Sequence, residues 1–179
     1  MKMRKLLCLV LSLLLVLSLA ACGEKEKKGN SYKDVVEKYM DAMADANYAK
    51  IMKLAPKKVI ENIKEDREMD EDDWEAWLEK NSTAMTDRYA TWEEYYGGEV
   101  MLSYEITDTW DMDEDALADI QEEYEDKYDI KVKAGKVVEV EVTLNLDGKK
   151  EDSAIMEVIV LKVADSWYLE LFESDYLFH

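Results

Sequence analysis

Hydrophobic and polar positions divide the chain into stretches of different period. Leu6 to Ala20 is apolar almost throughout, behind a basic start of Lys2, Arg4 and Lys5. Residues 23–31, GEKEKKGNS, then hold no large apolar side chain and cannot join a core. From Ser31 to Tyr96 apolar residues recur at the spacing of a helix face. Val35, Val36, Tyr39, Met40 and Met43 form the first such face, with Ser31 as its cap and Asp34 at its electropositive start. Asn47 caps a short second helix carrying Ile51, Met52 and Leu54, closed before Pro56. Val59, Ile60 and Ile63 predict a third. The acidic run Asp70 to Asp73 opens a longer one, on which Trp74, Trp77, Leu78, Met85, Tyr89, Trp92 and Tyr96 make a broad apolar stripe ending at Gly97-Gly98. Helical periodicity explains that stripe as core packing, with sugar stacking on an exposed Trp as the alternative.

After Gly98 the period falls to two. Val100, Leu102, Tyr104 and Ile106 share one face of a strand. A helix near Asp113 follows, with Leu117, Ile120 and Tyr124 on one side, and Ile130 and Val132 predict a short strand. In KVVEVEVTLNLDG, Val138, Val140, Val142, Leu144 and Leu146 alternate with Glu139, Glu141, Thr143 and Asn145, so one face is buried and the other wet. Asp147-Gly148 turns the chain into SAIMEVIVLKV, apolar on both faces around Val158 to Leu161 and therefore expected to be central. ADS turns it again into WYLELF, which makes the last three strands an antiparallel meander. The fold class expected is α+β: N-terminal helices on a curved antiparallel sheet. Val140, Val142 and Leu144 should face the helices, so Val142→Asp should be severe and Glu141→Lys mild.

The boundary after the apolar run carries the clearest chemistry. Leu19-Ala20-Ala21-Cys22 follows a basic n-region and an apolar h-region shorter than the roughly 20 residues a membrane span prefers. This segment resembles the signal and lipobox of bacterial lipoproteins. The resemblance implies diacylglycerol on the Cys22 thiol, cleavage before it, and an extracytoplasmic domain held to the cell membrane. It also gives a division of the chain: 1–21 signal peptide, 22–30 flexible tether, 31–179 a single α+β domain. The chain has two cysteines, Cys8 within the signal and Cys22 at the anchor, so neither is left for a disulfide in the exported domain.

A second resemblance rests on YKDVVEKYMDAMADANYAKIMKLAP near the start and VLKVADSWYLELF near the end. These stretches are similar to the nuclear transport factor two-like superfamily, cone-shaped α+β domains that recur in lipoproteins. The resemblance implies helices inside a curved sheet and a late strand opening with Trp-Tyr. It implies no activity, because the fold hosts both enzymes and inert binding domains.

Charge narrows the partners. With 23 Lys and Arg against 42 Asp and Glu the formal net charge is −19, which repels phosphate backbones and disfavours nucleic acid. A basic n-region without acids means that its removal makes the balance more negative. The sole histidine is His179, so neither a Cys–His nor a Ser–His–Asp set can form in the interior. No Gly-rich phosphate loop is present. Asp111, Asp113, Asp115, Asp119 and Glu122 match calcium-loop positions one, three, five, nine and twelve. Ala116 stands where that loop requires Gly, and a strand precedes it, so Asp113 is expected as a helix cap instead. No metal, cofactor or catalytic residue is expected. The reading is a lipid-anchored envelope protein, not an enzyme, whose domain binds a protein or small molecule. Its alternatives are a carboxylate-dependent enzyme with its site in the cone, or a structural spacer.

Overall fold

The computed structural model describes residues 29–147 and 149–171. Cys22, the rest of the chain before Gly29, Gly148, and residues 172–179 with His179 lie outside that range.

Each described helix begins at a residue that stops the chain from extending it backwards. Ser31 caps α1 (Tyr32–Ala44): its hydroxyl accepts from Asp34 N at 3.1 Å, and Asp34 accepts from Ser31 N at 2.9 Å. That reciprocal pair satisfies two N–H groups a helix start otherwise leaves open. The same bonds hold the Asp34 carboxyl below its ordinary range. Asn47 caps α2 (Tyr48–Met52) through Lys50 N. α3 (Lys57–Asp66) starts after Pro56, which has no side chain to cap it. Asp70 caps α4 (Glu71–Tyr96), and Gly97 ends it with a left-handed φ of 75°, where a side chain would be strained. Asp113 caps α5 (Glu114–Tyr128), accepting from Ala116 N at 2.9 Å.

The strands are β1 (Val100–Asp111), β2 (Val132–Leu146), β3 (Lys149–Val163) and β4 (Ser166–Leu169). They lie in the order β1-β2-β3-β4, every neighbouring pair antiparallel. The sheet curls into a half-barrel and the helices pack against it, so the α+β class holds. The register places Ile106, Val140 and Met156 side by side across β1, β2 and β3, with Val138 beside Val158. Val138, Val140 and Val160 are fully buried, together with Val35, Val36 and Ile51 from the helices. Neighbouring Val160 and Leu161 are both inaccessible. Successive strand residues point to opposite faces, so β3 is covered on both sides at this end.

Two expectations need correcting. Ile130 and Val132 do not form a strand of their own: Val132 opens β2, which runs on to Leu146, while Ile130 is a buried residue just before it. β3 is interior where it is apolar on both faces, as expected: Val160 to Val163 lie between β2 and β4. Its earlier part has β2 alone beside it and carries the 66% exposed Ile155, while β2 is flanked on both sides from Lys136 to Leu146. Second, the α4 stripe is not all core. Trp74 and Met85 are buried, but Trp77, Leu78, Tyr89, Trp92 and Tyr96 keep part of their surface in water. A helix of 26 residues is about 39 Å long and outruns the small core beside it.

The free edge of β4 is occupied by non-strand groups. The Asn30 side-chain amide donates to Trp167 O and accepts from Trp167 N, both at 2.8 Å. Leu169 N donates to Leu54 O at 2.9 Å. Gly29 runs so close to Asp165 that a Cβ there would overlap its carbonyl oxygen. Gly29 and Asn30, within the segment read as tether, are thus seated on the β3–β4 hairpin.

Candidate binding hollows

Two adjoining hollows share Lys57 and Tyr168. The first, of about 460 Å³, lies between the α3 start, the α5 end, the opening of β2 and the β3–β4 turn. Lys57, Lys58, Lys131 and Lys133 are among the residues that line it, with Asp129 as its acid. The second, of about 410 Å³, is walled by Met52, Ala55, Ile60, Trp74 and Leu78, with Ala49 and Lys53 at its margin. The sequence creates the basic half by bringing two short pairs together. Lys57 and Lys58 open α3, and Lys131 and Lys133 flank Val132, whose side chain turns into the core. It creates the apolar half from faces of α2, α3 and α4, held together where Trp74 stacks on Trp77 and Tyr48 meets Trp77 edge-on.

The four lysines are not equally committed. Lys58 donates to both Asp129 O at 2.9 Å and Asp129 Oδ2 at 2.7 Å. It thereby closes the C-terminal end of α5, where Asp129 adopts φ 49°. That hydrogen bond and the Lys58 charge hold the Asp129 carboxyl below its usual range. Lys57 pairs with Glu61 at 3.0 Å, and Lys133 stands 3.6 Å from Asp165. Lys131 makes no ion pair among the described residues.

Elsewhere the carboxylate that a cone enzyme would need is represented by Glu170. It is 6% exposed and accepts from the Tyr124 hydroxyl at 3.1 Å. Burial, and then the Glu170 charge and hydrogen bond, push the Tyr124 phenol far up, so it is a hydrogen-bond donor at neutral pH. Tyr128 is pushed up to about 12 by burial, with Glu123 and Glu170 adding to it. No family model, curated protein or solved structure matches the chain. The site therefore has to be read from its own chemistry.

Cys22, the expected lipid attachment residue, lies outside the described residues. The calcium-loop pattern does not assemble. Asp113 is committed to Ala116 N, Asp111 bonds Lys136, and among the described residues no three His, Cys, Asp or Glu side chains gather as metal ligands. Millimolar calcium should accordingly leave the thermal midpoint within about one degree, since a ligand stabilises only what it binds. A saturable rise of several degrees, lost in Asp113→Asn, would restore the calcium reading.

Sequence reasoning missed Lys57, Lys58, Lys131, Lys133, Tyr168 and Glu170. The lysine pairs are ordinary in a charged chain until the fold brings them together. Glu170 carried a local signal: a carboxylate placed inside the apolar run WYLELF has to find a buried donor.

Proposed function

We propose that the chain is a lipid-anchored envelope protein whose extracytoplasmic domain binds a ligand and carries out no chemistry on it. The observation that carries this reading is the lining of the paired hollows. Apolar and aromatic side chains and lysines line them, while Asp129, the acid present, is engaged by Lys58. Concave apolar walls with a few placed polar groups are the ordinary form of a small-molecule site. Two close buried carboxylates would instead have favoured a hydrolytic or isomerase enzyme. Among the described residues Glu170 is the one buried carboxylate, and it accepts from Tyr124.

The anchor belongs to the same reading. A thiol placed after Leu19-Ala20-Ala21 is where lipid transfer would act, and two or more acyl chains give stable attachment where one does not. Cys22→Ala should remove lipid modification and release the protein from membranes, or leave an uncleaved precursor, as fractionation and intact-mass measurement will show. An unmodified Cys22 in protein from the native host would end the lipoprotein reading. In this proposal the fold is a nuclear transport factor two-like cone. Its N-terminal helices lie in the concave face, and its last three strands form a meander.

Native mass spectrometry of the full chain, extracted from host membranes in lipid nanodiscs, tests the binding reading. A non-covalent ligand should accompany the wild type and be lost in Ala49→Trp, which fills the apolar hollow from its margin. A turnover that Glu170→Gln abolishes would overturn the reading in favour of the carboxylate enzyme.

A further inference from the structure

We infer that the paired hollows take an amphiphile with one acyl chain and an anionic head, carboxylate or phosphate. The inference rests on the binding reading above and specifies its ligand. The two hollows meet at Lys57 and Tyr168, so one molecule lying across them has its tail among Met52, Ile60, Trp74 and Leu78 and its head among the lysines. The charge pattern selects the head. In a chain of net charge −19 an anion is repelled over most of the surface, yet this hollow is lined by four lysines against one acid, Asp129. Lys131 brings a charge with no ion pair among the described residues. Lys57 and Lys133 hold Glu61 and Asp165 as exposed surface pairs, which are weak and exchange readily for a better partner. The start of α3 adds to this field. Pro56 and Lys57 at that start line the same hollow, and no side chain caps the helix, so the positive end of its dipole lies beside the hollow. Lys58 is not a free contributor, because it closes α5 through Asp129. The tail side is equally selective: a neutral apolar molecule would fill it while leaving the lysines unanswered, and an inorganic anion would do the reverse.

The test uses the full chain in nanodiscs of neutral phosphatidylcholine, with methionine methyl groups labelled for NMR. Met52 lines the apolar hollow, and Met43 and Met85, which line neither hollow, serve as internal controls. Octyl phosphate should move the Met52 methyl saturably and leave the Met43 and Met85 methyls in place. Octan-1-ol should bind at least tenfold more weakly, and inorganic phosphate should not move Met52. The combined variant Lys57→Gln, Lys131→Gln, Lys133→Gln should weaken octyl phosphate at least tenfold. Lys131→Glu alone, at a residue with no ion pair to lose, should weaken it at least threefold, which keeps the test sound if the triple variant folds poorly. Equal affinity for octan-1-ol, or unchanged affinity in both variants, would overturn the anionic head. A Met52 shift produced by phosphatidylglycerol nanodiscs alone would make the occupant a bilayer lipid and overturn the free amphiphile. No saturable Met52 shift would overturn the inference outright. If a ligand sensitive to Ala49→Trp still accompanied the native protein in that case, the binding reading would survive with a different ligand.

Discussion

Val140→Asp should abolish the folded state at room temperature, whereas Glu141→Lys, one residue further on, should leave the thermal midpoint nearly unchanged. Val140 is fully buried between Ile106 on β1 and Met156 on β3. Its burial contributes about 1.5–3 kcal/mol. A carboxylate in its place has neither water nor a partner, which costs several kcal/mol more or forces protonation. A domain of this size is stable by about 5–15 kcal/mol, so the combined loss takes most or all of it. Val142 faces the same way but is half-buried, so Val142→Asp should be milder than Val140→Asp. Glu141 points to the other face of the sheet, opposite Glu105 on β1 and beside the exposed Ile155. A lysine there leaves the buried face untouched, and a substitution on the wet face changes stability by about 0.5 kcal/mol. Circular dichroism melts of the two variants decide the matter. Equal tolerance of both would mean that the register of β2 is wrong.

Alkali should unfold the domain cooperatively between about pH 10 and 12. Tyr39 and Tyr124 are 3% and 1% exposed. Burial pushes both phenols far up, helped at Tyr39 by Tyr89 and Tyr48 and at Tyr124 by Glu170. Their folded-state values stand above the unfolded value of about 10, so the folded chain holds these protons more tightly. The resulting stability is fully present below pH 10 and is lost as the pH rises from there towards the folded values. Each buried phenol removes about 1.4 kcal/mol per pH unit once the unfolded chain ionises. Two units therefore cost about 5 kcal/mol for the pair, comparable to the whole stability of a marginal domain. Tyr104, pushed up to about 12 by burial and by its bond to Asp41, adds to the loss from pH 10 and levels off at the end of that window. Phenolate absorbance should follow the loss of far-ultraviolet signal, and Tyr39→Phe should move the midpoint to higher pH. Free titration of all tyrosines near pH 10 in a still-folded chain would contradict the burial of Tyr39 and Tyr124.

Local rules made much of the fold legible before any coordinates. Ser31, Asn47, Asp70 and Asp113 announce helix starts because a short polar side chain can reach an N–H three residues on, a relation internal to a few residues. Strict alternation from Val138 to Leu146 likewise identifies a strand with one dry face. What could not be read is whatever depends on length matching. Nothing near Ile155 says that β4 will stop at Val160 and leave the earlier part of β3 with β2 alone, and nothing on α4 says that the core ends before Tyr89. The hollows were illegible for a related reason. Lys57 and Lys131 are far apart in sequence, and their meeting depends on how α3 and the opening of β2 dock. Burial of Glu170 was half legible: its neighbours in WYLELF required a partner, but only packing reveals that it is Tyr124.

The clasp between Asn30 and Trp167 also fixes how the domain meets a mechanical load. Tension on the chain before Gly29 reaches Asn30 first. From there it passes through two hydrogen bonds into the backbone of β4, the last and shortest of the described strands. The Ser31 cap and α1 lie beyond that junction along the chain. Pulling from Gly29 should therefore release Asn30 before it unwinds α1, while the curled sheet stays whole. The amide of one asparagine would thus act as a mechanical fuse at the start of the described chain.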